Sequence, residues 1–303
     1  MEKRKNFIGI TCVVTCQVIF GFSLLFTRTA MDVASPMALL SWRFIVAFAV
    51  FNICVLLKLI KVDFKGKSLR PLIVIALFYP FLYFVGETIG VSLTSASESG
   101  TVLAATPIGT LICSAVLLKI KPSRLQLLGM ATSIVGIVMI VLLRGADAMF
   151  NPVGYIMLLF AVISYSLYGV FAQKTAAFTS SEKSYIMAAL AAVIFTTAAL
   201  IESGIQGTLV EFATLPFTSM GFLTSILYLG VGSSVGAFLL YNTAIDNIGA
   251  NRAISFAGIS TIVSITSGVI ILQEPFTLLQ GAGAVLVIVG VFFANRSQPA
   301  KTS

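Results

Sequence analysis

The sequence contains no histidine and few charged residues, and both shortages exclude classes of function. Charged residues make up 10% of the 303 residues, whereas a soluble globular domain carries about 25%. Hydrophobic residues make up 58%, which is more apolar surface than a soluble chain of this length can bury. Without histidine, no Ser-His pair can form, and Cys12 and Cys16 have no histidine to complete a metal site. The composition therefore indicates an integral membrane protein without a metal.

No catalytic or nucleotide-binding motif is complete. The run Gly232-Ser233-Ser234-Val235-Gly236 matches G-x-S-x-G, but a nucleophile elbow needs a strand, a turn, a helix and a nearby base. The apolar stretch around it supplies no base. The chain also has no phosphate-binding loop, so ATP-driven transport would need another chain. We expect neither enzymatic activity nor a cofactor.

Ten apolar stretches of about 18–22 residues fill almost the whole chain. A bilayer core about 30 Å thick needs about 20 apolar helical residues to cross it. Backbone polar groups inside lipid must be paired within the segment, so each stretch predicts a spanning helix. The predicted spans are 7–27, 37–57, 71–92, 99–118, 125–143, 153–173, 184–201, 218–241, 251–272 and 276–294.

The net charge of +8 gives orientation, because the cations cluster on one side of the predicted spans. If the N-terminus lies inside, all Lys and Arg residues fall in inner segments except Arg28, Arg43 and Arg144. Inner loops of membrane proteins are enriched in Lys and Arg. The pattern predicts that both termini are cytoplasmic, and it excludes a nucleic-acid partner.

The second half of the chain resembles the first. Residues 94–137 align with 248–291 at an offset of 154, with Leu118 on Leu272, Gly129 on Gly283 and Gly136 on Gly290. Five spans per half is an odd number, so the second half must enter the membrane from the opposite side. The sequence predicts an all-α integral membrane fold of ten transmembrane helices, as two inverted five-helix repeats over 1–147 and 148–303.

Small residues predict close helix contacts. Gly86 with Gly90, and Gly232 with Gly236, form small-xxx-small pairs. Further glycines give the fifth and tenth spans smooth faces, for packing within the chain or in a weak homodimer; they are Gly129, Gly136, Gly281, Gly283 and Gly290. Pro80 and Pro107 should interrupt the third and fourth helices.

Several short motifs in a fixed order resemble one family. They are Phe20-Gly21-Phe22-Ser23, Trp42-Arg43-Phe44, Thr94-Ser95-Ala96, Ala104-Ala105-Thr106-Pro107, Leu127-Leu128-Gly129 with Gly136, and Gln273-Glu274-Pro275 with Gly283 and Gly290. Over residues 7–294 the chain resembles the drug/metabolite transporter superfamily, specifically its EamA branch. The resemblance implies two inverted five-helix halves around a central cavity, and export of small metabolites or drugs. Thr261 departs from the pattern, since the repeat would place a proline there.

Glu87 and Arg43 are the sharpest site candidates. Glu87 lies about six residues from the outer end of the third predicted span, or roughly 9 Å below the surface. A carboxylate there usually faces a cavity or a partner. Arg43 lies at a similar depth in the second span. We expect the two to form a structural ion pair, or to bind substrate or couple protons.

Aromatic and uncharged polar side chains complete the expected cavity lining. They are Tyr83, Tyr241, Tyr79, Tyr168, Asn242 and Gln17. Aromatic rings favour an amine or quaternary ammonium group, although tyrosines also serve ordinary membrane packing. Glu98 and Arg252 occupy equivalent repeat positions at opposite faces, where they either gate the cavity or face solvent.

These features together predict a secondary transporter of the plasma (inner) membrane of a bacterium. We expect it to export small metabolites such as amino acids by alternating access, with protons as the candidate coupling ion. One alternative is proton-coupled efflux of drugs or quaternary cations. An alternative of another class is a non-transporting structural or receptor-like membrane protein. The expected partners are a small-molecule substrate, protons and membrane lipid, with the protein a monomer or weak homodimer.

Overall fold

The computed structural model describes residues 2–117, 119, 122–142, 151–172, 175, 177–248, 253 and 256–295. Its regular elements are helices, because only helices and closed barrels pair every backbone group inside lipid. The prediction of an all-α membrane fold is confirmed at this level.

The helices are α1 (Glu2–Ala30), α2 (Pro36–Leu56), α3 (Arg70–Ala76), α4 (Tyr83–Leu93), α5 (Ala96–Leu103), α6 (Thr106–Leu117), α7 (Arg124–Leu142), α8 (Pro152–Ala172), α9 (Ser180–Gln206), α10 (Leu209–Thr218), α11 (Met220–Leu227), α12 (Phe238–Ile248), α13 (Gly258–Ile270) and α14 (Leu278–Asn295), with π-helical segments at Leu77–Leu82 and Tyr228–Ala237.

Eight helical spans among the described residues are long and apolar enough to cross a membrane. They correspond to the first eight predicted spans. The predicted ninth and tenth spans fall on two shorter apolar helices, Gly258–Ile270 and Leu278–Ala294. Part of the predicted ninth span lies outside the described residues. The structure corrects the sequence prediction at the short helix α10. The prediction treats this segment as a connection between spans, because ten residues are too few to cross a membrane.

Helix boundaries follow local capping chemistry. The Ser35 side chain accepts a hydrogen bond from the Ala38 amide, and Pro36 begins α2. Ser at the N-cap and Pro at the first helical position are both favoured there. Thr179 and Glu182 form a capping box at the start of α9, which ends at Gly207 with a φ of 72°. That left-handed conformation suits glycine because it has no Cβ.

The two predicted proline interruptions are confirmed. Pro80 lies in the first π-helical segment, where Tyr79 has extended backbone angles (φ −143°, ψ 118°). A turn at residues 104–105 separates α5 from α6, which begins at Thr106 and contains Pro107. Proline cannot donate the helical amide hydrogen bond, and regular helix is interrupted just before each proline, at residue 79 and at residues 104–105.

Most predicted glycine contacts lie between helices of the same chain. A Cβ on Gly136 of α7 would lie 2.5 Å from the Gly283 carbonyl of α14, so the two backbones nearly touch. Gly86 and Gly90 likewise face α8. The predicted role of Gly232 and Gly236 is wrong: among the described residues, no atom of another helix is near either glycine. Both lie in the π-helical segment, where the spacing of four no longer marks one face.

Seven helix pairs make most of the interhelical contacts. They are α7 with α14, α2 with α9, α5 with α13, α1 with α12, α4 with α8, α1 with α13, and α6 with α8. The surface of the bundle is apolar, with side chains such as Leu56, Ile205 and Phe217 about four-fifths exposed. Such a surface suits lipid contact, and it leaves the polar side chains for the interior.

Candidate functional site

A cavity of about 430 Å³ lies in the centre of the bundle. Pockets that hold small molecules span about 300–1,000 Å³, so this volume fits one small solute. The eight side chains predicted for substrate binding or proton coupling all line it: Gln17, Arg43, Tyr79, Tyr83, Glu87, Tyr168, Tyr241 and Asn242. The structure brings these eight residues to one cavity, and their roles in binding or coupling stay a prediction.

Arg43 and Glu87 form a buried ion pair across α2 and α4. Arg43 Nη1 lies 3.9 Å from Glu87 Oε2, and both side chains are almost fully buried. Arg43 Nε donates to Ser234 Oγ at 3.1 Å, and Nη2 donates to Ser233 Oγ at 3.5 Å. Its guanidinium carbon lies 4.2 Å from the centre of the Phe84 ring, in a cation–π contact. These contacts fix the guanidinium plane at the cavity wall.

Glu87 is held less completely than Arg43. Its Oε2 accepts no hydrogen bond from any described residue, although it is buried. A buried acceptor without a partner is unfavourable and is uncommon outside functional sites. The pair therefore offers a fixed cation beside a carboxylate with free acceptor capacity.

Aromatic rings form one wall of the cavity next to this pair. Tyr79 is at its centre, with its ring centroid 5.2 Å from those of Tyr83 and Tyr168 and 5.3 Å from that of Tyr165. The extended backbone at Tyr79 turns its side chain away from the helical path. The faces of such rings attract cations, and their bodies contact apolar groups.

The two ends of the cavity differ in exposure. One end, here called the Lys183 end, is lined by Lys183 and the exposed Ser180 at the start of α9. The other, here called the closed end, is lined by the buried residues Leu24, Glu87 and Gly100. The cavity lining thus includes an exposed residue at the Lys183 end, whereas the three residues named at the closed end are buried.

The two predicted gating residues have different outcomes. Glu98 does not face solvent: it is 8% exposed, and it forms a capping box with Ser95 at the start of α5. A carboxylate is stabilised at this position by the amide groups of the helix N-terminus. Its second oxygen accepts from Gln280 Nε2 at 3.1 Å. Arg252 lies outside the described residues.

Sequence reasoning missed four residues of the site. The sequence places Ser233 and Ser234 in a hydrolase-like motif, whereas in the structure they bind the Arg43 guanidinium. Phe84 and Lys183 were also missed. The one available signal was the position of Phe84 beside Tyr83 and Glu87. Among the described residues, no group of three or more Cys, Asp or Glu could hold a metal ion.

Comparison with known proteins extends over the whole chain. The sequence model of the EamA-like transporter family matches residues 7–142 and again 152–296. An uncharacterized transporter of Bacillus subtilis, YcxC, is 33% identical over 304 residues, covering 100% of this chain and 97% of that protein. An uncharacterized inner membrane transporter of Escherichia coli, YedA, is 28% identical over 255 residues, covering 83% of this chain and 78% of that protein.

A solved crystal structure superposes with a TM-score of 0.62 at 17% identity, covering 96% of this chain and 98% of its own. At this identity the likeness shows the fold alone. The family match over both parts of the sequence and the full-length relative at 33% identity are sufficient for an assignment. This chain belongs to the EamA-like transporter family.

Proposed function

We propose that the protein is a secondary transporter that exports small metabolites, amino acids above all, by alternating access. The observation that carries the proposal is the buried Arg43–Glu87 pair at the closed end of a cavity of about 430 Å³. An amino acid carries one carboxylate and one ammonium group. The guanidinium fork of Arg43 suits the carboxylate, and the free acceptor of Glu87 suits the ammonium group.

Proton coupling is the proposed energy source, with Glu87 as the coupling group. Its carboxylate is the only acid that lines the cavity among the described residues. Competition between a proton and the substrate ammonium group for this one carboxylate would make each leave as the other binds. Such competition couples the two fluxes, because both ligands share one site.

The proposed architecture has ten transmembrane helices in two inverted halves, 1–147 and 148–303. Two observations support it. The family model matches the chain twice, once in each half. The main helix contacts are also reciprocal, which means that each contact has a counterpart when spans one to five are exchanged with spans six to ten. The contact α1–α12 has the counterpart α8–α4, and α1–α13 has the counterpart α8–α6. The contacts α2–α9, α5–α13 and α7–α14 are their own counterparts. Inverted repeats of this kind support alternating access around a central site.

We further propose that both termini and the Lys183 end face the cytoplasm of a bacterium, across its inner membrane. The concentration of Lys and Arg in the predicted inner segments supports this orientation. The Escherichia coli relative YedA is named as an inner membrane transporter. In this orientation the exposed part of the cavity lining, at Ser180, faces the compartment from which an exporter loads.

A second candidate function is proton-coupled efflux of quaternary or lipophilic cations. The specific observation in its favour is the aromatic wall of Tyr79, Tyr83, Tyr165 and Tyr168 beside Glu87. An aromatic box with an acid is a known way to bind a cation. Such a substrate has no carboxylate, so Arg43 would have no partner in it.

Solute counterflow in proteoliposomes separates these proposals. Vesicles are loaded with L-leucine, L-phenylalanine or tetraethylammonium, and uptake of the same labelled solute is followed. We expect counterflow of an amino acid, its loss in Arg43→Gln, and loss of proton-driven flux in Glu87→Gln with normal membrane insertion. Glu211→Gln is the matched control, because Glu211 is an exposed acid on α10.

The pattern of substrates decides between the outcomes. Counterflow of tetraethylammonium alone, unchanged by Arg43→Gln, would favour cation efflux instead. Full proton-driven activity in Glu87→Gln would remove Glu87 from the coupling mechanism. Absence of flux for every solute in the panel would favour a non-transporting membrane protein.

A further inference from the structure

A carboxylate from the second half of the chain binds α5, the helix whose residue Gly100 lines the closed end of the cavity. Glu274 lies in the connection between α13 and α14 and reaches the first turn of α5. Its Oε1 accepts from the Ala96 amide at 2.6 Å, and its Oε2 accepts from the Ser97 amide at 3.0 Å and from Ser97 Oγ at 2.7 Å. Both oxygens are therefore bound to the amino end of one helix, where a negative charge is stabilised.

The carboxylate packs closely against α13. A Cβ on Gly268 of α13 would collide with the Glu274 carboxylate and with Ser97 Oγ. One turn further along α5, Gly100 lines the cavity and packs directly on Ser264 of α13. The contact between α5 and α13 thus forms part of the cavity wall at the closed end. Glu274 binds the first turn of α5, next to this contact.

The sequence does not repeat this carboxylate at the equivalent position of the first half. At the repeat offset of 154 residues, Ile120 occupies the position equivalent to Glu274, between Lys119 and Lys121. An isoleucine side chain cannot accept a hydrogen bond, and the neighbouring cations would be repelled by the positive amino end of a helix. At this repeat position the first half therefore has no carboxylate.

We propose that Glu274 is a latch that holds the closed end shut and biases the protein toward the conformation open at the Lys183 end. This inference rests on the proposed alternating-access function and adds a direction to it. Release of solute requires the hydrogen bonds to Ala96 and Ser97 to break. Because the equivalent position of the first half carries no acid, the resting protein presents its cavity to the cytoplasm, where an exporter loads its substrate.

Cysteine accessibility tests the latch without a known substrate. In a background without the four native cysteines, Ala104→Cys places a thiol on the cavity wall. A membrane-impermeant maleimide is applied to spheroplasts and, separately, to inside-out vesicles. We expect modification of the otherwise unchanged protein from inside-out vesicles only. Adding Glu274→Gln should raise the rate from the spheroplast side by at least about tenfold, while Glu211→Gln should not.

The variants distinguish a latch from a structural cap. Glu274→Gln keeps the size of the side chain, so its effect reports the lost carboxylate oxygen. A spheroplast-side rate equal to that of Glu211→Gln overturns the latch. A lowered melting temperature together with equal modification from both sides shows a general loss of structure and also overturns it. Counterflow of L-leucine or L-phenylalanine by the unmodified protein is measured separately, so failure of the transport proposal is visible without reference to the latch.

Discussion

Removing Arg43 should destabilise the protein more than removing Glu87, although the two form one ion pair. Their charged atoms are 3.9 Å apart, which at an effective dielectric constant near 20 corresponds to an attraction of about 4 kcal/mol. Arg43→Gln leaves the Glu87 carboxylate buried without a cation, and such a loss costs about 3–5 kcal/mol.

Glu87→Gln leaves the other contacts of Arg43 intact. The hydrogen bonds to Ser233 and Ser234 remain, each contributing about 1 kcal/mol or more. The contact with Phe84 also remains, with a contribution of about 2 kcal/mol where water is excluded. We therefore expect Arg43→Gln to lower the free energy of unfolding by at least about 2 kcal/mol more than Glu87→Gln, with the double variant in between.

The chain offers an internal probe for this comparison. Trp42 is the only tryptophan, it precedes Arg43 on α2, and its indole nitrogen donates to the Phe212 carbonyl at 3.1 Å. Its fluorescence during titration of detergent micelles with sodium dodecyl sulfate reports unfolding at that site. Equal destabilisation by the two variants, or a larger effect of Glu87→Gln, would refute the account of Arg43 as the more firmly held partner.

Two other predictions concern packing and an ion pair away from the cavity. Gly136→Ala should lower the free energy of unfolding by about 1–3 kcal/mol through overpacking. A Cβ on Gly204 would meet no atom of the described residues within 4 Å, so Gly204→Ala should raise the free energy of unfolding by up to about 1 kcal/mol. The same fluorescence titration measures both variants, and equal effects would contradict the contact between α7 and α14. Glu182 accepts hydrogen bonds from Lys67 Nζ through both carboxylate oxygens at 2.8 Å. Glu182→Gln should therefore lower the free energy of unfolding by about 1.5–3 kcal/mol. An effect as small as that of Glu211→Gln would show that the ion pair does not stabilise the protein.

The spans could be predicted from the sequence because hydropathy and length alone identify a lipid-crossing helix. The same signal could not predict α10, which is too short, or the π-helical segment at Tyr228–Ala237, which is equally apolar. Arg43 and Glu87 could be paired in advance, since each was a lone charge at a similar depth.

The partners that hold the site could not be predicted, because they come from distant parts of the chain. Ser233 and Ser234 meet Arg43 only after α2 packs beside the second π-helical segment. Glu274 was visible in the sequence as an acid without a neighbouring cation. Its bond to the Ala96 amide, 178 positions away, depends on how α13 packs on α5, and no local pattern encodes that contact.

Blocking the cavity while following flux tests the central claim most directly, namely that solute passes through the space beside Arg43. Ser260→Cys places a thiol in the cavity lining, and Ser68→Cys places the same thiol on an exposed connection, both in the background without native cysteines. After complete modification with a bulky maleimide, we expect amino-acid counterflow to stop in Ser260→Cys and to continue in Ser68→Cys. Unchanged counterflow in fully modified Ser260→Cys would contradict the account.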